Sequence, residues 1–136
     1  MLRMLKLLPE QAARHWDLIK PILETYKPDT TVDRPETINS ILTSLLGGKI
    51  ELHIFYKQSD NGNSKEDGIR GFVLLSVLNS IEESYKHLLV YFIYSFPNTP
   101  MRDVLRAWDL IVAYAKGKGC SIVDGYTSLF TSSFLV

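Results

Sequence analysis

The sequence predicts an α/β (α+β) fold in which a mixed sheet carries helices on both faces, and two observations support this prediction. The first is a strand–helix–strand run from residue 87 to residue 126. Residues 87–96 are almost continuously aliphatic or aromatic, which is typical of a central strand buried on both faces. The second observation is the order of elements along the chain, β-α-α-β-β-β-α-β, because the last three of these suit a right-handed parallel crossover.

Length and composition predict one domain spanning residues 1–136. With 46% hydrophobic and 22% charged residues, the chain has the composition of an ordinary globular protein. Its formal net charge is zero, so we expect no broad attraction to nucleic acid or to an anionic membrane. No segment is long and apolar enough to suggest a membrane span. Cys120 is the only cysteine, which excludes an intramolecular disulfide and favours a cytoplasmic location.

The first half of the chain predicts one strand followed by two helices. Residues 2–8 alternate loosely enough for a strand, and residues 10–26 carry an apolar helical face that Pro21 should bend or split. Asp33-Arg34-Pro35-Glu36 has the form of a capping box with proline just inside the next helix. Gly47-Gly48 should end that helix in a left-handed conformation.

Three strands are predicted next. Residues 50–56 alternate and predict a strand with one solvated face. The polar, Asn/Gly-rich residues 57–68 predict a flexible hairpin loop leading to a strand over residues 69–77. Residues 79–86 predict a polar turn before the central strand.

A helix and a fifth strand complete the predicted crossover. Thr99 is placed to cap a helix whose first residue is Pro100. Gly117-Lys118-Gly119 should end this helix, and residues 120–125 should form the fifth strand. Residues 126–136 predict either a last short strand or a tail.

At this level of detail the chain resembles the GNAT superfamily of N-acetyltransferases, in which these elements occur in this order. Shorter stretches are similar as well: Pro9-Glu10-Gln11-Ala12 before a helix that bears Trp16, Leu45-Leu46-Gly47-Gly48-Lys49 before the second strand, and Tyr114-Ala115-Lys116-Gly117-Lys118-Gly119-Cys120 before the fifth. The resemblance covers residues 2–126. In style it is closest to the short, divergent GNAT-like proteins of tailed bacteriophages.

The resemblance implies where acetyl-CoA would bind. Family members hold its pyrophosphate on a loop of the form Gln/Arg-x-x-Gly-x-Gly/Ala between the fourth strand and the following helix, where glycines let backbone N–H groups approach the anion. The loop here has no glycine, and Pro97 and Pro100 each remove an N–H donor. Asp103 adds a negative charge in the first helical turn. If acetyl-CoA binds, the resemblance assigns it to Tyr94, Ser95, Phe96, Asn98, Thr99 and Arg102.

The resemblance also implies two catalytic candidates. Family members often use a carboxylate on or near the fourth strand as a base and a tyrosine beyond the fifth strand as an acid. Glu83 and Tyr126 occupy those places in this chain. The alternatives are a solvated turn for Glu82 and Glu83 and simple packing for Tyr126.

The predicted fold lacks the helix and the C-terminal hairpin that follow the fifth strand in complete family members. The fifth strand is therefore expected to be a sheet edge, available for self-association or for a protein partner. The apolar residues proposed for this contact are Phe130, Phe134, Leu135 and Val136. A frayed tail is the alternative.

Other reactive side chains predict no further site. His15, His53 and His87 lack neighbours at ligand spacing, so no metal site is expected. Cys120 is expected to be a buried structural thiol.

Two functions follow from these patterns. The first is a divergent GNAT-like protein without efficient catalysis that acts through protein contacts, as a phage accessory or virion component in the host cytoplasm or the virion. The second is an active acetyl-CoA-dependent N-acetyltransferase with an atypical phosphate loop.

Overall fold

The computed structural model describes residues 1–26, 34–58, 68–79, 86–126 and 131–135. Within these ranges the chain forms six strands and four helices. The strands are β1 (Leu2–Leu7), β2 (Glu51–Lys57), β3 (Gly68–Asn79), β4 (Lys86–Ser95), β5 (Cys120–Tyr126) and β6 (Thr131–Leu135). The helices are α1 (Pro9–Arg14), α2 (Trp16–Tyr26), α3 (Arg34–Leu46) and α4 (Met101–Gly117).

The strands form one sheet in the order β1-β2-β3-β4-β5-β6. Neighbouring strands are antiparallel except β4 and β5, which pair in parallel and are joined through α4. The predicted mixed sheet and the predicted parallel crossover are therefore confirmed.

Helices cover both faces of the sheet, as predicted. On one face α4 packs over a core that includes Val73, Leu88 and Ile111, all fully buried. On the other face α1, α2 and α3 enclose a second core around Ile19, Leu45 and Leu74. Because buried apolar area is the main favourable term in folding, these two cores fix the sheet between its helices.

The predicted first helix is divided, but Pro21 does not split it, and a bend at Pro21 stays a prediction. The break falls at His15, which ends α1 with φ −93° and ψ 0°, and Pro21 lies inside α2. The His15 side chain stabilises this turn because its Nδ1 lies 2.9 Å from the carbonyl oxygen of Gln11. Pro21 is exposed, so the carbonyl that loses its partner remains within reach of water.

The prediction of a solvated face on β2 was wrong. Leu52 faces the α1–α3 core, whereas His53 and Phe55 are buried on the opposite side under α4. His53 is only 1% exposed. Both faces of β2 are therefore covered. The polar residues that alternate along this strand, Glu51 and His53, belong to a polar cluster under α4.

β5 is not the edge of the sheet, contrary to the prediction. β6 pairs with it antiparallel, with Phe134 opposite Val123 and Leu135 opposite Ile122. The sequence alternative of a last short strand is thus the one observed, and one strand of a closing hairpin is present. Phe130 and Val136, together with the side chains of Phe134 and Leu135, lie outside the described residues, so the proposed contact surface stays a prediction.

Of the predicted turns, the one after α3 lies within the described residues and others lie outside them. Gly48 has φ +75° after α3, as predicted for a left-handed helix end. The Asp33 capping box, the hairpin loop over residues 59–67 and the turn over residues 80–85 lie outside the described residues. Within the described ranges, none of the helices has the length and apolar character needed to span a membrane.

Candidate functional site: a cleft beyond the β4–β5 pairing

β4 and β5 pair over only part of their length. Their register runs from Lys86 opposite Cys120 to Val90 opposite Gly125, and β5 ends one residue later. β4 continues to Ser95, still paired with β3 on its other side. Within the described residues, the pairing of β4 with β5 therefore stops at Val90.

A β-bulge at Tyr91 accounts for this separation. Leu75 is opposite Val90, but Leu74 is opposite Phe92, so Tyr91 is an extra residue on β4. A bulge bends its strand and increases the local twist, which carries the rest of β4 away from β5. The two strands thus diverge at the point where the bulge lies, and a V-shaped opening follows.

The loop between β4 and α4 is held by its own backbone. The N–H of Phe96 donates to the carbonyl oxygen of Arg70 at 2.9 Å, and the N–H of Thr99 donates to the carbonyl oxygen of Phe96 at 3.3 Å. Asn98 takes the left-handed φ of 69°, which asparagine tolerates better than most residues. The loop is therefore a defined turn.

The prediction that Thr99 caps α4 was wrong. The helix begins at Met101, and its N-cap is Pro100 in an extended conformation with ψ 148°. The Thr99 hydroxyl instead donates to the carbonyl oxygen of Phe96 at 2.6 Å. Local hydrogen bonding of a threonine to nearby backbone competes with capping, and here the turn takes the hydroxyl.

Few backbone donors in the loop are left for an anion. Pro97 and Pro100 have no N–H, and the N–H of Thr99 bonds within the turn. The N–H groups of Asn98, Met101 and Arg102 have no backbone acceptor in the part of the chain that the structure describes. This loop therefore presents fewer donors than a glycine-rich phosphate loop would.

Basic side chains surround a cleft at this loop. Its volume is about 510 Å³, which is within the usual range for small-molecule sites. Lys57 at the end of β2, Arg70 on β3 and Arg102 at the start of α4 line it. The remaining lining residues are Ile69, Phe96, Pro97, Asn98, Thr99 and Pro100. The cleft thus favours an anionic ligand.

The sequence suggested that Asp103 adds an unpaired negative charge beside this cleft. In the structure that charge is paired. Its side chain is buried, and its Oδ2 accepts a hydrogen bond from Lys57 Nζ at 3.0 Å. The pair joins the end of β2 to the first turn of α4. The negative charge of Asp103 is therefore balanced by Lys57, and it fixes the position of that ammonium group.

The structure brings together four of the six residues predicted to bind the cofactor. Phe96, Asn98, Thr99 and Arg102 line the cleft. Tyr94 lies beside it, with its ring 5.8 Å from that of Phe72 and 5.4 Å from that of Phe96. Ser95 is exposed at the end of β4. Their binding role stays a prediction.

The two catalytic candidates cannot be placed in the same way. Glu83 lies outside the described residues. Tyr126 is the last residue of β5, with its backbone opposite Thr131, and its side chain also lies outside the description. Their roles therefore stay predictions.

A pair of titratable side chains joins β4 to β5 just before the strands diverge. His87 Nδ1 lies 2.8 Å from Asp124 Oδ2, and both side chains are 21% exposed. Asp124 is opposite Leu89 in the parallel register. This contact therefore supplements the backbone pairing at the closed end of the V.

A second polar cluster lies under the C-terminal half of α4. The Glu51 carboxylate accepts hydrogen bonds from Tyr114 and from His53, whose Nε2 is 3.0 Å away, and Lys6 Nζ lies at 3.7 Å. Burial acts to raise the pKa of Glu51, but these hydrogen bonds and the charge of Lys6 outweigh it and lower that pKa to about 2. Glu51 is therefore ionised at neutral pH.

The neighbours of this cluster are not activated for chemistry. Burial and the bond to Glu51 raise the pKa of the Tyr114 hydroxyl. Burial likewise raises the pKa of Cys120, which is 5% exposed, so the predicted buried thiol is confirmed. Among the described residues no group of three or more His, Cys, Asp or Glu side chains is placed to hold a metal ion.

Sequence reasoning missed Lys57 and Arg70 in the cleft, and it missed the polar cluster under α4. Lys57 and Arg70 belong to strands far from the loop in sequence, so only the sheet register brings them to it. The polar cluster had one available signal: Glu51 and His53 alternate onto the same face as the apolar Phe55.

The fold matches solved structures, although no family model matches the sequence and no curated protein matches it. A ribosomal-protein-alanine N-acetyltransferase from Brucella melitensis biovar Abortus 2308 superposes with a TM-score of 0.62 at 16% identity, over 93% of this chain and 80% of that one. A predicted acetyltransferase from Clostridium acetobutylicum, solved with acetyl-CoA, superposes with a TM-score of 0.59 at 13% identity, over 94% and 82%.

A third similar structure carries the family name. It is a Desulfovibrio desulfuricans protein assigned to the GNAT family of acetyltransferases, with a TM-score of 0.55 at 10% identity over 93% of this chain and 74% of that one. Identities this low establish shared architecture only. The chain therefore has the GNAT fold, the fold of these acetyltransferases.

Proposed function

We propose that this chain binds acetyl-CoA between β4 and β5 and transfers the acetyl group to an amine acceptor. The observation that carries the proposal is the separation of the two strands after the bulge at Tyr91. Beyond Val90, β4 no longer pairs with β5, and the basic cleft lies at the loop that follows this part of β4. One ligand that matches both features is an anionic group joined to an extended, amide-bearing arm.

Each part of acetyl-CoA has a counterpart in this arrangement. The pantetheine arm contains amide groups, and a strand that continues beyond its pairing offers backbone N–H and C=O groups at the spacing of a β-ladder. The diphosphate would lie in the basic cleft between β2, β3 and α4. The similar structure from Clostridium acetobutylicum was solved with acetyl-CoA, which supports this choice of ligand.

The acetyl transfer itself requires little beyond position and polarisation. The amine nitrogen attacks the thioester carbonyl carbon, the C–S bond breaks, and the leaving thiolate is protonated while the ammonium loses a proton. Backbone N–H groups of β4 just beyond its pairing with β5 would stabilise the negative charge that develops on the carbonyl oxygen. Glu83 and Tyr126 are the proposed base and acid.

Isothermal titration calorimetry with acetyl-CoA tests the binding step. We expect a dissociation constant in the micromolar range and weaker binding as salt is raised, because charged contacts to phosphate are screened. A chain that does not bind acetyl-CoA at millimolar concentration would contradict the proposal. A thiol-release assay with a panel of amines then tests transfer.

A second candidate is a protein of this fold that acts through protein contacts without catalysis, as an accessory or virion component of a tailed bacteriophage. The specific observation that favours it is the loop, in which Pro97 and Pro100 replace N–H donors. The phage setting rests on the resemblance of the sequence. Absence of acetyl-CoA binding, with concentration-dependent dimers in light scattering, would favour this candidate, whereas micromolar acetyl-CoA binding would contradict it.

A further inference from the structure

We infer that Lys57, on β2, contacts the phosphates of the ligand in the basic cleft, and that Asp103 is the residue that positions it. This inference rests on the proposed function, because it assigns the cation that makes the acetyl-CoA site workable. Lys57 lies outside the β4–α4 loop in sequence, 46 residues before Asp103.

The position of Lys57 satisfies the geometric requirement for such a contact. It is the last residue of β2, it lines the cleft of about 510 Å³, and its side chain is 18% exposed. An ammonium group has three N–H donors. One donates to Asp103 Oδ2 at 3.0 Å, which leaves two for an anion in the cleft.

The loop explains why a side-chain cation is needed. A phosphate loop normally supplies several backbone N–H groups at a helix start. Here Pro97 and Pro100 supply none and the N–H of Thr99 is bonded inside the turn, which leaves only the N–H groups of Asn98, Met101 and Arg102. A charged donor compensates for this loss because a charge-assisted hydrogen bond is about twice as strong as a neutral one.

Asp103 is suited to positioning because it is buried and rigidly placed. It is 7% exposed and lies in the first turn of α4, where the helix fixes its backbone. Lys57 and Asp103 together carry no net charge. The contribution of the pair to anion binding therefore depends on the position of the ammonium group and not on a net positive charge. A lysine held in place also loses less side-chain entropy when the ligand binds.

The central test is the double variant Lys57→Met/Asp103→Asn, which keeps the total charge and leaves no unpaired carboxylate buried under α4. Calorimetry measures its affinity for CoA and for pantetheine, which lacks phosphate. We expect CoA binding to weaken about tenfold, since a charge-assisted hydrogen bond is lost. Pantetheine binding should not change. Lys57→Arg should keep CoA affinity within about threefold, because the charge and the reach are retained.

Arg106→Met/Asp109→Asn is the matched control. Both residues are exposed on α4 and do not line the cleft, and their joint replacement also keeps the total charge. We expect CoA affinity to stay within about twofold, since an exposed charge outside the cleft acts through screened solvent.

Two substitutions at Asp103 separate positioning from charge. Asp103→Asn keeps an oxygen that accepts from Lys57 Nζ, so CoA affinity should be retained. Asp103→Ala removes that acceptor and should weaken CoA binding several-fold, even though it removes a negative charge near the ligand. A gain of affinity in Asp103→Ala would overturn the positioning role.

The outcomes distinguish this inference from the proposed function. If the wild-type chain does not bind CoA, both are overturned. If it binds CoA and the folded double variant binds equally well, the assignment of Lys57 is overturned while the proposed function stands. Equal losses for CoA and pantetheine would overturn the phosphate contact. Circular dichroism checks that each variant is folded.

Discussion

Replacing Tyr114 by Phe removes a hydrogen bond to the Glu51 carboxylate and keeps the ring that packs against His53. The ring centroids of Tyr114 and His53 are 4.7 Å apart in an edge-on arrangement. The hydroxyl is one of two side-chain donors that hold the pKa of Glu51 at about 2. Tyr114→Phe therefore tests how much the polar cluster under α4 contributes to folding.

The expected loss of unfolding free energy at pH 7 is about 1–2 kcal/mol. A hydrogen bond to a charged group contributes about 1.5–3 kcal/mol, and the partial exposure of Glu51 reduces that figure. The sign of the pH dependence follows from the lowered pKa. Glu51 stabilises the fold above its ordinary pKa of 4.5, and this contribution is lost as the pH falls from 4.5 towards 2.

Urea unfolding followed by circular dichroism at pH 7 and pH 3 provides the measurement. Without its tyrosine donor, Glu51 takes up a proton at higher pH, so the difference between wild type and Tyr114→Phe should fall to about two-thirds of its pH 7 size at pH 3. Tyr56→Phe is the control. Tyr56 is half-buried on β2, the strand that carries Glu51, and removing its hydroxyl should have little effect on the free energy of unfolding. A Tyr114→Phe cost that is equal at both pH values, or no larger than the control, would refute the role of Glu51.

Three further predictions concern the sheet and the core. Gly71→Ala should lower the free energy of unfolding by about 1–3 kcal/mol in urea, because the new Cβ would lie 2.1 Å from the carbonyl oxygen of Tyr94. Gly117→Ala is the control, since nothing lies within 4 Å of a Cβ there, and it should be neutral or slightly stabilising. Ile111→Ala should cost about 2–5 kcal/mol in the same assay, since Ile111 is fully buried between α4 and the sheet. Asp124→Asn should accelerate amide hydrogen exchange where β4 and β5 pair in parallel, because it weakens the contact with His87 at 2.8 Å. Unchanged exchange would contradict a stabilising role for this contact.

The sequence predicted the architecture well because local patterns determined it. The apolar run of β4, the helix that follows and the returning strand β5 are adjacent in sequence, so their periodicity and their turn residues sufficed. The glycines that follow α3 and α4 ended those helices as expected, with φ +75° at Gly48 and +78° at Gly119. The division of the first helix was less predictable, because His15 carries no strong helix-breaking signal.

The candidate site was predictable only where it is continuous in sequence. The loop residues Phe96, Asn98, Thr99 and Arg102 were identified from one stretch of chain. Lys57 and Arg70 reach the same cleft through strand register, which a single sequence does not give. The significance of Asp103 on α4 was misjudged for the same reason, since its partner Lys57 lies on β2, 46 residues earlier in the chain.

The most direct test of the central claim is amide NMR of the isotopically labelled chain titrated with acetyl-CoA. The account predicts that shifts concentrate on residues 91–95 of β4 and on residues 96–102 at the start of α4, while the amides of α1 and α2 are unchanged. Saturating acetyl-CoA without shifts in residues 91–102, or with shifts concentrated elsewhere, would contradict it.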